Sequence, residues 1–278
     1  MKYENRQPEE GINVSKGSPV KAFLQLVIST ALLLAVSVFF LYLSGAWLAK
    51  KIPFRYEEAI MEKIDVDFGS QETDQDIREY LNELSARIAV HLPNPDEVSY
   101  TVHYEPEDVF NAYATIGGNI VFYKGLIKQL PNENALAMVM AHEMAHVSHR
   151  DPVAGLGGGV ASAVALSTVF GSSGSQYAST FINGAGGLTA VQFTRKMENN
   201  ADDAAILAVS KLYGHTVGAD SLFRHIDEKR EQSSKPDWLA RFSSTHPLDS
   251  DRVENIKAKT LELELPTTGE TTPLPGLW

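Results

Sequence analysis

Residues 132–147 read NENALAMVMAHEMAHV and contain His142, Glu143 and His146 in the pattern H-E-x-x-H. Asn132 is a suitable N-cap, and the Ala, Leu and Met residues that follow it favour a helix. On that helix the two histidines lie one turn apart on the same face. Two such imidazoles can occupy two corners of a tetrahedral zinc ion, which leaves Glu143 beside the open position as a general base.

The motif is weak by itself, because it arises by chance in roughly one or two chains per hundred of this length. The alternative is an ordinary helix whose histidines are surface residues or capped core residues. A third metal ligand farther along the chain would decide between the two interpretations.

Glu198 and Asp202 lie four residues apart in residues 194–208, a segment of helical composition, and therefore share a helix face. Glu198 can complete a His2Glu zinc site, and Asp202 can accept the spare ring N–H of a ligand histidine. A solvated acidic helix face is the alternative for this segment alone. Taken with the first helix, it predicts a catalytic site for one zinc ion.

The composition narrows the functional classes. The 278 residues are 44% hydrophobic, enough for a sizeable core in one or two domains. A formal net charge of -11, without a basic patch, argues against a nucleic-acid partner. The chain has no Cys, so any metal must be held by His and carboxylates. The sequence does not specify an oligomeric state.

Residues 22–49 contain no charged residue and predict one transmembrane helix. As a helix the segment is about 40 Å long, which exceeds the roughly 30 Å hydrocarbon core. Residues 1–21 are polar and predict a disordered tail. A cleaved signal peptide is the rival, but its apolar region is usually shorter. Lys and Arg are balanced around the span, so the sequence indicates a single-pass protein of a bacterial inner membrane without fixing its orientation.

Residues 52–260 are predicted to form the extramembrane domain, mainly α with a small β-sheet (α+β), followed by a flexible Thr- and Pro-rich tail over 261–278. Strands are expected at 98–104 and 119–123. Residues 152–194 form an uncharged, Gly-rich insert. Because ligands flank it, any membrane crossings there must be even in number. We favour none, with helices lying on the membrane or packed over the active site; a membrane hairpin is the alternative.

Several blocks of the chain resemble the M48 metallopeptidases, in the same order and at similar spacing. The resemblance covers roughly residues 57–256. The blocks are Asn111-Ala112-Tyr113 with Gly117-Gly118 and Gly125-Leu126; Glu133 to His146 with Arg150-Asp151; Thr194 to Glu198 with Ala201-Asp202; and Ser244-Thr245-His246-Pro247 with Asp251-Arg252.

The resemblance implies a zincin-like metallopeptidase domain with His142, His146 and Glu198 as zinc ligands and Glu143 as the base. It also implies that residues 119–123 are an edge strand to which a peptide substrate adds backbone hydrogen bonds. Three further roles are expected. Asn111, Asn119 and Val121 bind the substrate, Asp202 lies beside a ligand histidine, and His246 stabilises the oxyanion.

We therefore expect a membrane-anchored zinc endopeptidase that acts on polypeptides, in the quality control of membrane or envelope proteins, with membrane lipid as a second partner. One alternative is a zinc-containing, chaperone-like binding or assembly factor that does not cut its clients. Another is a latent enzyme that becomes active only after the Gly-rich block moves.

Overall fold

The computed structural model describes residues 4, 18–63, 68, 74–93, 97–171, 193–232, 246 and 252–277. Most of the predicted N-terminal tail and residues 172–192 of the Gly-rich insert lie outside this part of the chain. The described residues are mostly helical with one three-stranded sheet, which confirms the α+β class. The elements are α1 (Pro19–Ala49), α2 (Arg55–Met61), α3 (Gln75–Ala89), β1 (Thr101–Glu105), β2 (Ala112–Ala114), β3 (Asn119–Tyr123), α4 (Lys124–Ile127), α5 (Glu133–Ser148), α6 (Asp151–Phe170), α7 (Arg195–Tyr213), α8 (Ser221–Gln232) and α9 (Arg252–Glu262).

Helix α5 is the centre of the domain, and every one of its residues is buried. It packs against α7, α3 and β2, so it has no solvent face and needs no amphipathic pattern. Its start is fixed by Asn132, whose side chain accepts a hydrogen bond from the backbone N–H of Ala135 at 2.9 Å. Helix α7 begins in the same way at Thr194 and ends at Gly214, which has a φ of 79°.

The sheet has the strand order β1-β3-β2, so β3 is its central strand. It pairs in parallel with β1 and antiparallel with β2. This corrects the expectation that residues 119–123 form an edge strand, because both sides of β3 already carry strand partners. The short hydrophobic run could not show this, since buried central strands and edge strands share the same composition.

Helices α1 and α6 pack closely and run antiparallel. A Cβ atom placed on Gly157 would lie 2.5 Å from the Cβ of Ala49 and 2.8 Å from the carbonyl oxygen of Gly45. One placed on Gly158 would lie 2.6 Å from the ring of Tyr42. Helix α1 and residues Asp151–Val169 of α6 are both long and apolar enough to cross a membrane. Helix α6 thus lies along α1. The position of the insert relative to a membrane stays a prediction.

Residues 261–278 were expected to be a flexible tail; helix α9 extends to Glu262, and residues 263–277 form no helix or strand. They are nevertheless attached to the domain by backbone hydrogen bonds. The N–H of Glu133 donates to the carbonyl of Thr272 at 2.8 Å, and the N–H of Thr272 donates to the side chain of Asn134 at 2.8 Å. The segment therefore covers the N-terminus of α5, where free N–H groups need acceptors.

Candidate metal centre

Two helices bring the three predicted ligands together. His142 and His146 leave the same face of α5, and their Nε2 atoms are 3.1 Å apart. Glu198 comes from the first turn of α7, with Oε2 3.5 Å from Nε2 of His142 and Oε1 3.4 Å from Nε2 of His146. All three side chains are buried. A helix pair separated by about fifty residues of sequence thus forms one compact set of donor atoms.

His246 is the fourth member of this set. Its Nδ1 lies 3.4 Å from Nε2 of His142 and 3.2 Å from Oε1 of Glu198. Donor atoms of His142, His146, Glu198 and His246 all lie within 4.8 Å of one another. The structure places its ring nitrogen among the candidate ligand atoms, and the oxyanion role expected from the sequence resemblance stays a prediction.

The spacing of these atoms fits a tetrahedral zinc ion. Zinc–nitrogen bonds of about 2.0–2.1 Å require donor atoms separated by roughly 3.3–3.4 Å at tetrahedral angles. The measured separations between donors are 3.1, 3.2, 3.4 and 3.5 Å. Imidazole nitrogens and a carboxylate are also ligand types that zinc prefers. The residues present therefore fit the metal.

Two aspartates orient the histidine rings. Oδ1 of Asp202 lies 2.9 Å from Nδ1 of His142, and Oδ2 of Asp151 lies 3.1 Å from Nδ1 of His146. A proton on each Nδ1 leaves the lone pair of Nε2 directed at the donor cluster. Asp202 occupies the place expected from its spacing. Asp151 was predicted only as part of a block that resembles the M48 metallopeptidases, with no role of its own. Its position five residues after His146 was the sequence feature that could have indicated this contact.

Arg252 is a further residue of the site that sequence reasoning missed. Its guanidinium donates to both carboxylate oxygens of Asp202, at 2.6 and 2.9 Å, and to Oε2 of Glu198 at 2.9 Å. It also lies over the ring of Phe223, 4.2 Å from the ring centroid. Because Arg252 is buried, its charge acts on these carboxylates with little screening by water. It balances the negative charge that the ligand set concentrates inside the protein.

The charges of the site shift its titration. Burial raises the pKa of Glu198, but its electrostatic interaction with His246 and hydrogen bonds from His142 and His146 reverse this and hold the pKa far below its usual value. Burial lowers the pKa of His142, but its hydrogen bonds with Asp202 and Glu198 outweigh burial and raise the pKa to about 10. A metal ion and a proton therefore compete for Nε2 of His142.

Glu143 lies beside the ligand atoms in a nearly closed space. Its side chain is buried, and Oε1 is 3.3 Å from Nε2 of His246. Oε2 has no hydrogen-bond partner among the described residues. The cavity that Glu143 lines with Phe223 and Arg252 has a volume of only about 10 Å³. That is about the minimum for one water molecule, and it leaves no room for a peptide.

The residues predicted to bind substrate are not brought to this cavity. Val121 is fully buried in the central strand. Oδ1 of Asn119 lies 2.8 Å from Nε2 of His103, and its amide donates to the carbonyl of Ile116 at 3.2 Å. Asn111 precedes the edge strand β2, and its buried Oδ1 has no hydrogen-bond partner among the described residues. Of the three, only Asn111 has an unused acceptor.

Comparison with known proteins places this site in a family. The sequence profile of "Peptidase family M48" matches residues 71–260. The beta-barrel assembly-enhancing protease of Escherichia coli (strain K12) is 27% identical over 196 residues, which are 65% of this chain and 38% of that protein. The protein of the same name from Yersinia pestis is 25% identical over 202 residues, 68% of this chain and 40% of that protein.

A mitochondrial protease is also similar to this chain. The mitochondrial metalloendopeptidase OMA1 of Schizosaccharomyces pombe is 26% identical over 180 residues, 64% of this chain and 51% of that protein. The chain spans about two fifths to one half of the length of these relatives. The family profile covers more than half of the chain and contains the donor residues of α5, α7 and His246, so this chain belongs to peptidase family M48.

Proposed function

We propose that this protein is a membrane-anchored, zinc-dependent endopeptidase. The observation that carries the proposal is the convergence of buried donor atoms from His142, His146, Glu198 and His246 beside the carboxylate of Glu143. A buried set of this kind, with oriented histidine rings, is what metal-assisted hydrolysis requires. Membership of family M48 supports the same reaction class.

The catalytic role follows from the chemistry of the donor set. A zinc ion held there supplies Lewis acidity, which lowers the pKa of water and polarises a substrate carbonyl. Glu143 is the general base: its carboxylate takes a proton from the attacking water and delivers it to the leaving amine. Its Oε2 is available for this exchange, because no described residue hydrogen-bonds to it. Asp202 and Asp151 keep both helix histidines in the tautomer that can bind the ion.

The described arrangement supports a latent form of the enzyme. Four protein ligands fill a tetrahedral ion, whereas a catalytic zinc keeps one position open for water and substrate. The cavity beside Glu143 is also too small for a peptide. His246 is the donor outside both ligand-bearing helices, so we propose that it withdraws when a substrate binds. This explains the closed site through a histidine ligand rather than through the Gly-rich block alone.

Substrate binding is proposed at β2. This strand has a strand neighbour on one side only in the described sheet, and it packs against α5, which carries His142 and His146. An extended peptide can add to such an edge through backbone hydrogen bonds, with little dependence on its sequence. The unused Oδ1 of Asn111, next to the strand, provides one more acceptor. Because two relatives are named for enhancing β-barrel assembly, we propose membrane or envelope proteins as substrates.

We further propose that α6 enters the membrane beside α1. Its antiparallel packing along the anchor places about 30 Å of helix next to the same lipid layer. The ring of Phe193 stacks on His146 at 3.9 Å, so the chain is back at the metal site before α7. The parent chain has no cysteine, which makes single-cysteine labelling clean. In bacterial membrane vesicles, Val164→Cys should resist a water-soluble maleimide. The control Val90→Cys, at an exposed position of the domain, should react once detergent has opened the vesicles. Equal, fast reaction of both variants would contradict the proposal.

The test of the enzymatic proposal is a Glu143→Gln substitution in the full-length protein. It should keep bound zinc and reduce casein cleavage about 10²–10⁴-fold, because the general base is lost. Glu254→Gln is the matched control, since it makes the same chemical change at an exposed position of α9. Each variant is also assayed with His246→Ala, which removes the fourth donor. Cleavage by Glu143→Gln at the parent rate would refute the assignment of the base.

The same assay separates the enzyme from a non-cleaving binding factor. If the protein is a zinc endopeptidase, o-phenanthroline should stop cleavage and added zinc should restore it. A binding factor predicts client binding with no chelator-sensitive cleavage in any variant, including His246→Ala.

A further inference from the structure

The membrane helix ends at the metal site. Lys50 follows the last residue of α1, and its ammonium donates to Oδ1 of Asp151 at 2.8 Å and to the carbonyl of His149 at 2.8 Å. Asp151 is buried, with 2% of its side chain exposed, whereas the side chain of Lys50 is 36% exposed. One end of this ion pair therefore lies inside the domain and the other lies at the end of the anchor.

Asp151 connects that ammonium to a proposed zinc ligand. Its second oxygen, Oδ2, lies 3.1 Å from Nδ1 of His146. Both oxygens of a buried carboxylate are thus engaged, one by a cation and one by an imidazole N–H. The nearby cation Arg150 is paired with Glu57 and donates to the carbonyl of Ile52, which leaves Lys50 as the cation seen on Asp151 among the described residues.

We propose that Lys50 is a positioning residue of the metal site, which makes the membrane helix a structural part of the centre rather than a tether. This inference rests on the proposed zinc site. The ammonium fixes the carboxylate of Asp151, and Asp151 holds His146 with its proton on Nδ1 and its Nε2 directed at the ion. Substitution of a group that orients a ligand histidine typically weakens metal affinity by about 10–100-fold.

The packing of the anchor makes this contact rigid. Gly45 and Gly157 bring the backbones of α1 and α6 together just before Lys50 and just after Asp151. Ala49 and Val153 belong to one small buried apolar cluster at the same junction. Lys50 and Asp151 therefore lie where α1 and α6 are in close contact.

Lys51 shows what a lysine does when it only flanks a membrane helix. It is exposed, and its ammonium lies 5.6 Å from the ring centroid of Trp47, at the end of the same helix. Such a lysine places its charge in the interfacial region and contacts no buried carboxylate. The two lysines have the same charge and are adjacent in the sequence, so Lys51 is a matched control for Lys50.

The experiment measures the zinc affinity of the full-length protein in detergent, by competition with a chromophoric chelator. Asp151→Asn should weaken zinc binding about 10–100-fold, and Lys50→Met about 10-fold, the lower end for a group acting through Asp151. Lys50→Arg should recover most of the affinity, and Lys51→Met should leave it unchanged. The visible spectrum of the Co²⁺-loaded protein should change in Lys50→Met and not in Lys51→Met.

A double substitution tests the route of the effect. If Lys50 acts through Asp151, then Lys50→Met has no further effect on affinity in the Asp151→Asn background. Equal zinc affinity of the parent and Lys50→Met, or independent effects in the double variant, would overturn the proposal. A parent protein that binds no zinc would instead overturn the proposed function. Thermal unfolding of the metal-free variants reports whether each retains its fold. If Lys50→Met does not fold, Lys50→Arg is the variant of Lys50 whose zinc affinity is compared with that of the parent.

Discussion

The two main helix pairs of this protein are held together by different means. Helices α5 and α7 share the main apolar core and also meet around buried charges: two histidines and Glu198, with Arg252 compensating the carboxylates. Helices α1 and α6 meet through glycine, where the backbones approach so closely that no side chain fits between them. Small-residue contacts of the second kind suit a membrane, because lipid offers apolar side chains no reason to leave it.

The difference teaches that the α5–α7 pair depends on charge balance as well as on apolar packing, whereas the α1–α6 pair depends on shape. The two pairs are joined at one point, where Lys50 at the end of α1 contacts Asp151 at the start of α6. The loss of stability caused by a charge substitution in the first pair should therefore depend on zinc. A change of side-chain size in the second pair should act mainly through packing. The following variants test that distinction.

The largest effect is expected for Arg252→Met. It leaves Asp202 and Glu198 as buried carboxylates without their cation, which should lower the free energy of unfolding of the metal-free protein by about 3–5 kcal/mol. Zinc should reduce this loss, because the ion supplies positive charge beside Glu198. Denaturant unfolding in detergent, with and without zinc, measures both values.

The control for this variant is Arg224→Met, which breaks the pair between the exposed Arg224 of α8 and Asp220, the residue before that helix, and should change stability by less than about 1 kcal/mol. If zinc made no difference to the loss in Arg252→Met, charge balance would not be what joins α5 and α7.

A smaller effect is expected for Gly157→Leu. The new side chain meets Ala49 and the carbonyl of Gly45, so it should destabilise the α1–α6 pair by about 1–3 kcal/mol. Thermal unfolding in detergent measures the change in stability. This change should differ between the zinc-bound and the zinc-free protein only as far as the substitution alters zinc affinity. Val164→Leu, on the exposed face of α6, is the control. A Gly157→Leu protein as stable as this control would show that the close approach is not needed.

The smallest effect is expected for His246→Ala. Removing the fourth donor should raise the rate of casein cleavage about tenfold, if the open form is about one tenth of the parent population. His91→Ala, away from the donor cluster, should leave the rate unchanged. The alternative role for His246, stabilising an oxyanion, predicts a decrease of about 10²-fold or more. The direction of the change therefore decides between ligand and oxyanion donor.

The helices that carry the site could be predicted from local sequence. Asn132 and Thr194 both cap their helices through side-chain hydrogen bonds, and spacing of four residues puts His142 with His146 and Glu198 with Asp202. Caps and helical spacing are local properties, which act within one turn of the chain. They required no knowledge of the rest of the fold.

Other parts of the site depended on contacts between distant segments. The central position of β3 is set by its two partners, β1 and β2, and its apolar run gives no sign of either. Arg252 reaches Asp202 across fifty residues, and His246 reaches Glu198 across a similar distance. The place of α6 follows from its packing on α1, because its composition suits a membrane helix and a core helix equally.

The sequence alone determined which side chains could hold a metal and which helices would present them, because those properties depend on neighbours within a few residues. The tertiary structure decided how many donors converge, which cation balances their charge and how the anchor meets the site. Those features arise where separate elements pack together. Burial there makes an unpaired charge expensive, so the fold selects partners such as Arg252 and Lys50 from distant parts of the chain.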